Sequence, residues 1–310
     1  MKRIAYWLLL CLMTATFNSC IADEEEITPG GGTDTQQVAV RFRLETPRQV
    51  HPVTRAMTPD AENNVRRVDV LAFKVTGSSP NYTEKFAYHA STTTITDVGT
   101  SDKKEFTVKL LKGGTDLYRF VLLTNLDDAV GDALANLSTN GDKEDILKST
   151  NLLITNTGKW SAEDSRLGTS DPIPMWGETI PMQVTDAVEV SGISNIKLIR
   201  MVSRIDVEVT TDDTKAKFKL ATVHLYNRKT RGYIAPLAAN WDNSVNKVTA
   251  ASVPADSDPT NNPLTILGPL EYNDASTADV AFINEIYTFE AAAAAAGEAS
   301  KATCIVVGGY

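Results

Sequence analysis

The stretch Val38-Ala39-Val40-Arg41-Phe42-Arg43-Leu44-Glu45 decides how the rest of the chain is read. Val38, Val40, Phe42 and Leu44 alternate with Ala39, Arg41, Arg43 and Glu45. That period of two turns one set of side chains to a core and the other to water, as in a half-buried β-strand. A polar segment over residues 46–64 follows, broken by Pro47, Pro52 and Pro59 and carrying Arg48 and Arg55. It reads as an exposed loop. Residues 65–75 are then apolar almost without interruption, the pattern of a more fully buried strand. Residues 86–88, 105–111 and 118–124 also read as β.

Further along, helix is the minority element. Val130, Ala133, Leu134 and Leu137 recur at helical spacing within residues 127–137, and residues 143–148 offer a second short helix. Pro172, Pro174 and Pro181 punctuate the next stretch. Strands are expected again over 187–190, 196–209 and 217–226, around Ile234, and over 265–267, 280–283, 285–289 and 303–307. Turn-forming clusters such as residues 254–263 separate them. The six alanines at 291–296 support a short exposed helix or a loop. At 310 residues the chain is about twice the usual single-domain length. The expected fold is therefore all-β, with two β-sandwich domains and short helical insertions, over residues 38–190 and 191–310. Because Gly308 and Gly309 follow Ile305, Val306 and Val307 like a hairpin turn without its return strand, the second domain is expected to be incomplete and the C-terminus truncated.

Working outward to the other end, Lys2 and Arg3 precede a short apolar run over residues 4–13 and then small and polar residues to Ser19. This is the layout of a secretory signal peptide over residues 1–19, too short to span a bilayer. Phe17-Asn18-Ser19-Cys20 resembles a bacterial lipobox, which makes Cys20 the lipidation site. A plain signal peptide with an incidental cysteine is the weaker reading. Cys11 leaves with the leader, so Cys20 and Cys304 remain, and a lipidated Cys20 leaves no disulfide within the chain. Cys304 is expected to be a small buried apolar residue. Residues 20–37, with Asp23-Glu24-Glu25-Glu26 and three glycines, read as a flexible tether. The acidic run resembles the signal that sends some Bacteroidales lipoproteins to the outer face of the outer membrane, and a solubilising linker is nearly as good an account of it.

The formal charge of −9, from 39 Asp plus Glu against 30 Lys plus Arg, becomes −11 once Lys2 and Arg3 are removed. No block of Lys and Arg offers a nucleic-acid surface. His51, His89 and His224 stand singly, without a second ligand at metal-binding spacing, so no metal and no cofactor is expected. No Gly-x-Ser-x-Gly, no P-loop and no dinucleotide fingerprint is present. Pro174-Met175-Trp176-Gly177-Glu178 has the outline of a sugar platform with an acid beside it, and also that of a Trp packed over a glycine. Trp160 and Trp241 have the residue type for stacking on saccharide. Carboxylates are abundant enough that a glycosidase pair is not excluded by sequence.

Taken in order along the chain, these residues resemble the Bacteroidales fimbrillins, the FimA-like subunits of type V pili. The resemblance rests on the lipoprotein start at Cys20, the alternating strand from Val38 to Leu44, and the polar loop with Thr54, Arg55 and Ala56. It continues through residues 65–75, the apolar strand ending at Asn125, and the phrase 173–178. Residues 198–209, with Arg200, Met201 and Arg204, and then 286–290 and 303–310 complete it. The resemblance implies two transthyretin-like β-sandwich domains and assembly by strand exchange. An Arg-specific protease cuts the loop after the first strand, removing the lipid anchor and that strand, and a neighbouring subunit's strand fills the groove. The matching cut lies between Arg55 and Ala56, with Arg48 as the alternative.

The physics of the first strand fits such a mechanism. Burying Val38, Val40, Phe42 and Leu44 contributes at about 1.5 to 3 kcal/mol each an upper sum of about 6 to 12 kcal/mol. A whole domain is stable by only about 5 to 15 kcal/mol. A cut strand should stay docked until another apolar-alternating strand displaces it, since the bare groove is an open sheet edge. The expectation is thus a non-enzymatic pilus subunit of the outer membrane and extracellular surface, exported as a lipoprotein and supporting adhesion. Its partners are other pilus subunits by strand addition, the outer membrane through the lipid, and the Arg-specific protease, with no nucleic acid. The family's donor strand lies beyond residue 310, so shaft, tip and anchor roles stay open. A surface glycan-binding lipoprotein is the alternative, and a hydrolase the third.

Overall fold

A computed structural model of the chain describes residues 36–47, 62–79, 81–149, 152–155, 172–208, 220–229, 231–242, 247–254, 264–265, 282–298 and 302–309. Ten strands precede residue 201: β1 (Gln37–Glu45), β2 (Val68–Ser78), β3 (Asn81–Thr92), β4 (Ile95–Val98), β5 (Thr100–Leu111), β6 (Leu117–Thr124), β7 (Leu153–Thr155), β8 (Met175–Glu178), β9 (Ile193–Lys197) and β10 (Ile199–Arg200). Three short helices interrupt them: α1 (Asp128–Leu134), α2 (Lys143–Leu147) and α3 (Asp186–Ser191).

Nine of these strands form two facing sheets, in the orders β4-β5-β1-β9 and β10-β8-β6-β2-β3. The core between them takes Val38, Val40, Phe42 and Leu44 from β1, Phe106 and Val108 from β5, and Val68, Val70, Phe120 and Leu122 from the opposite sheet. Phe42 stacks on Phe106 at 5.1 Å and meets Phe120 edge-on at 6.0 Å, geometries that aromatic quadrupoles favour. The second sheet is also covered on its outer face. There Leu71, Phe73, Val121 and Leu123 meet Leu134 of α1, Ile146 and Leu147 of α2, Leu152, Ile234 and Ala235. Burial on both faces is why residues 65–75 show an apolar run instead of alternation.

Beyond the first sandwich come β11 (Val202–Glu208), β12 (Leu220–Tyr226), β13 (Arg231–Tyr233), β14 (Trp241–Asp242), β15 (Lys247–Val248), β16 (Leu264–Thr265), β17 (Phe282–Phe289) and β18 (Cys304–Gly309). β11 pairs antiparallel with β17, and a small core of Ile173, Met201, Val202, Tyr287 and Phe289 gathers there. β12 is the centre of a β16-β12-β18 sheet, β13 pairs with β7, and β14 pairs with β15. The all-β class with short helical insertions is therefore what the chain adopts.

Several expectations change. The junction placed at residue 190 falls too early, because β9 and β10 hydrogen-bond into the first sandwich, beside β1 and β8. Residues 187–190 are helical in α3, not a strand. No residue of α3 is buried, so no core face holds that segment extended, and Gly192 at φ +70° ends the helix. β4 lies in a stretch for which no element was expected. Cys304 is exposed, not buried, because among the described residues neither face of β18 is packed over, as the exposure of consecutive Ile305, Val306 and Val307 shows. Gly308 and Gly309 do not begin a turn; they continue β18, opposite Thr222 and Leu220. Of the two readings offered for residues 291–296, the loop is the one adopted, as irregular chain with a turn at 296–297.

Candidate functional site

β1 is seated between two neighbours. Along its whole length it runs antiparallel to β5, from Gln37 opposite Leu111 to Glu45 opposite Lys103. From Phe42 to Glu45 it also runs parallel to β9, with Phe42 opposite Ile193 and Leu44 opposite Ile196. Burial alternates along the strand as the sequence requires, with Val38, Val40, Phe42 and Leu44 inside and Arg41 and Arg43 in solvent. Arg43 Nε donates to Glu105 Oε2 across the strand pair at 2.8 Å, a cross-strand match of opposite charge. Beside the first half of β1, Val188 of α3 packs on the core edge. Gly192 passes so close that a Cβ there would stand 2.6 Å from the Arg41 carbonyl oxygen. The register shift of β9 opposite Phe42 and Leu44 leaves a cleft of about 210 Å³ next to Leu44, Glu45, Lys103 and Asn195.

The end of β1 is tied down group by group. Leu198 N donates to the Glu45 carbonyl at 2.8 Å, and Thr46 N to the Asp102 carbonyl at 2.8 Å. Arg200 Nη2 donates to the Pro47 carbonyl at 3.4 Å and to Asn63 Oδ1 at 2.8 Å. Next to Asn63, Glu62 is only 1% exposed. Its carboxylate accepts from the Tyr287 hydroxyl at 2.8 Å and from Arg204, and lies 3.5 Å from Arg200. A buried carboxylate needs such partners to remain charged. Burial holds the Arg200 guanidinium below its ordinary range even though Glu62 favours its charge. Asn125, in the left-handed region at φ 57°, organises the neighbouring chain. Its Oδ1 accepts from Arg66 N at 2.9 Å, and its Nδ2 donates to the carbonyls of Asn64 and Ile173 at 2.9 and 2.8 Å.

The structure thus brings Val38, Val40, Phe42 and Leu44 together in one groove. Cys20, Arg48, Arg55 and Ala56 lie outside the described residues, as do His51 and Trp160. Sequence reasoning named Arg200 and Arg204 only within a longer phrase and missed Glu62, Asn63 and Tyr287; a lone Glu near a polar loop carried no signal of its burial. The saccharide reading of residues 174–178 finds no open platform. Trp176 is buried in β8, edge-on to Trp241 at 4.9 Å. Glu178 is engaged by Arg119 at 3.1 Å and Lys143 at 2.9 Å. His89 is likewise a structural residue, its Nε2 lying 2.9 Å from Asp69 Oδ1, with Arg67 on the same carboxylate. Among the described residues no group of three or more His, Cys, Asp or Glu is placed to hold a metal ion.

Compared with known families, residues 30–294 match the model of the fimbrillin-A associated anchor proteins Mfa1 and Mfa2. The chain belongs to this anchor-protein family. Membership makes it a fimbrial, cell-surface protein of the adhesion class, in keeping with the fimbrillin resemblance. No curated protein matches the chain. Among solved structures, the tip fimbrial protein Mfa3 from Porphyromonas gingivalis, with a C-terminal truncation, is 14% identical at a TM-score of 0.48, covering 88% of this chain and 78% of its own. A candidate cell adhesion protein from Parabacteroides distasonis is 13% identical at a TM-score of 0.37, covering 66% and 53%. Another from Bacteroides eggerthii is 14% identical at a TM-score of 0.35, covering 84% and 72%. In this member of the anchor-protein family, the part of the site that is described is a strand in its seat.

Proposed function

We propose that the chain is a non-catalytic subunit of a cell-surface pilus whose first strand is exchangeable. It is exported as a lipoprotein, with Cys20 acylated and residues 20–37 tethering it to the outer membrane. An Arg-specific protease cuts between Arg55 and Ala56, or after Arg48, and the strand carrying Val38, Val40, Phe42 and Leu44 leaves with the lipid. A strand of a neighbouring subunit then adds to β5 and β9. The observation that carries this reading is the seat of β1. It is an inner strand with four buried side chains and hydrogen-bonding neighbours on both flanks, followed directly by a segment bearing two arginines. Removal of such a strand opens a groove shaped for a strand of the same pattern and leaves two unpaired edges.

A second reading is favoured by the family itself, which is one of anchor proteins. In it the chain keeps its lipid and β1, and holds the pilus at the membrane without polymerising. Intact mass of the membrane-expressed protein before and after an Arg-specific protease separates the two, with a denaturing gel of unheated samples. A cut at Arg55, loss of the acylated N-terminal piece and a ladder of polymers support the exchanging subunit. Retention of the acyl group on Cys20, resistance at Arg55 and Arg48, and no ladder overturn it in favour of the anchor.

A further inference from the structure

Pro47 and Glu62 bound residues 48–61, and the contacts at these two ends converge on one side chain. Arg200 Nη2, at the end of β10, meets the Pro47 carbonyl at 3.4 Å on one side and Asn63 Oδ1 at 2.8 Å on the other. Glu62, beside Asn63, is fixed by Arg204 of β11 and by the Tyr287 hydroxyl of β17. We propose that Arg200 is a positioning residue that clamps the end of the first strand, so that a chain cut within residues 48–61 keeps β1 seated until this contact is broken. The clamp rests on the reading above that this segment is the one processed.

Three observations carry it. The ties at Glu45 and Thr46 are backbone to backbone, with the Thr46 hydroxyl also donating to the Asp102 carbonyl at 3.3 Å, and an incoming strand replaces the backbone ties like for like. The tie at Pro47 is different in kind, a charged side chain donating to a backbone carbonyl, and an incoming strand replaces it only if it extends as far as that place. Finally, Arg200 is held by Asn63 and lies beside Glu62, both on the far side of any cut in the segment. Cleavage therefore leaves the guanidinium aimed at Pro47. The clamp slows departure of the chain's own strand, and it holds an incoming strand only where that strand reaches the same place.

The test uses the full chain with a recognition sequence for a sequence-specific protease inserted after Val53, nicked there. Exchange of the N-terminal fragment against an excess of labelled synthetic peptide with the sequence of residues 36–47 is then followed. Arg200→Gln is expected to speed exchange about fivefold, the scale of one charge-assisted hydrogen bond weakened by its length. Arg200→Lys, whose ammonium sits one bond short of the Nη2 position from which Arg200 makes both contacts, is expected to speed it about twofold. Lys74→Gln, which removes an exposed pair with Asp116 outside this network, stays at about the parental rate. Parental exchange in Arg200→Gln, or equal acceleration by Lys74→Gln, overturns the clamp. If Arg200→Gln does not fold, parental exchange in Arg200→Lys overturns it instead. Failure of an Arg-specific protease to cut the natural sequence would defeat the processing reading alone, since the inserted site is nicked regardless.

Discussion

β1 and β18 are both short apolar strands, and their surroundings are opposite. β1 has β5 on one flank and β9 on the other, with every second side chain in the core. β18 is the edge of its sheet, paired with β12, and its consecutive Ile305, Val306 and Val307 are 43%, 46% and 43% exposed. The difference follows from pattern. Strict alternation specifies which face goes inside, so a slip by one residue would bury Arg41 and Arg43 and is strongly disfavoured. A run of three β-branched residues is equally apolar on both faces and specifies no such choice. The alternating strand is thus the one whose seat admits a single register.

The largest effect should come from emptying that seat. Phe42→Ala removes a ring stacked on Phe106 and edge-on to Phe120 and should cost about 3 to 5 kcal/mol in a denaturant titration. A cost below about 1 kcal/mol would mean that β1 is not part of the folding core. Next comes Asn125→Ala, which loses three hydrogen bonds and a residue suited to positive φ, at about 2 to 3 kcal/mol. Asn125→Gly should recover only the backbone share, and equal stability of the two variants would remove the conformational part of the argument.

The third prediction concerns pH. Burial pushes the Glu84 carboxyl up, but Lys143 at 2.7 Å and Arg119 outweigh it and hold it below the usual carboxylate range. A depressed folded pKa contributes stability that is fully present above the unfolded value of about 4.3 and lost as pH falls below it. Thermal midpoints should therefore drop on acidification past that point, and Glu84→Gln should flatten that drop. An unchanged slope in the variant would assign the acid sensitivity to other groups. The smallest effects should be at the surface and the edge: Arg43→Ala and Val306→Thr are each expected to change stability by about 0.5 kcal/mol or less. A cost above about 1.5 kcal/mol for Val306→Thr would show that β18 is covered in the folded protein and would erase the contrast with β1.

Much of the first sandwich was legible because its strands carry their burial in their pattern, alternating in β1 and continuous in β2. Residues 196–209 were not, since one apolar stretch is divided among β9, β10 and β11, which join three different sheets. The divisions fall at Leu198 and Met201, both buried and apolar, so hydrophobicity does not mark them. Residues 187–190 have the alternation of a strand, but a pattern directs a segment only when a core face exists to receive it. Of the site, the inward residues of β1 could be read and the base of the loop could not. Glu62 meets Tyr287 across 225 positions of sequence, and nothing local to either residue announces the other.

The parallel pairing of β1 with β9 joins Phe42 to Ile193, about 150 residues apart in the chain. A contact of such high order must bear a large loop-closure entropy before it returns any stability. The strand that is synthesised first therefore has one wall of its berth completed only after β9 is available. Until then β1 can pair only with β5, and the nascent first sandwich must wait with its opening strand half housed. A folding route in which that strand arrives late is also one in which the remainder has already learned to stand, for a time, without it.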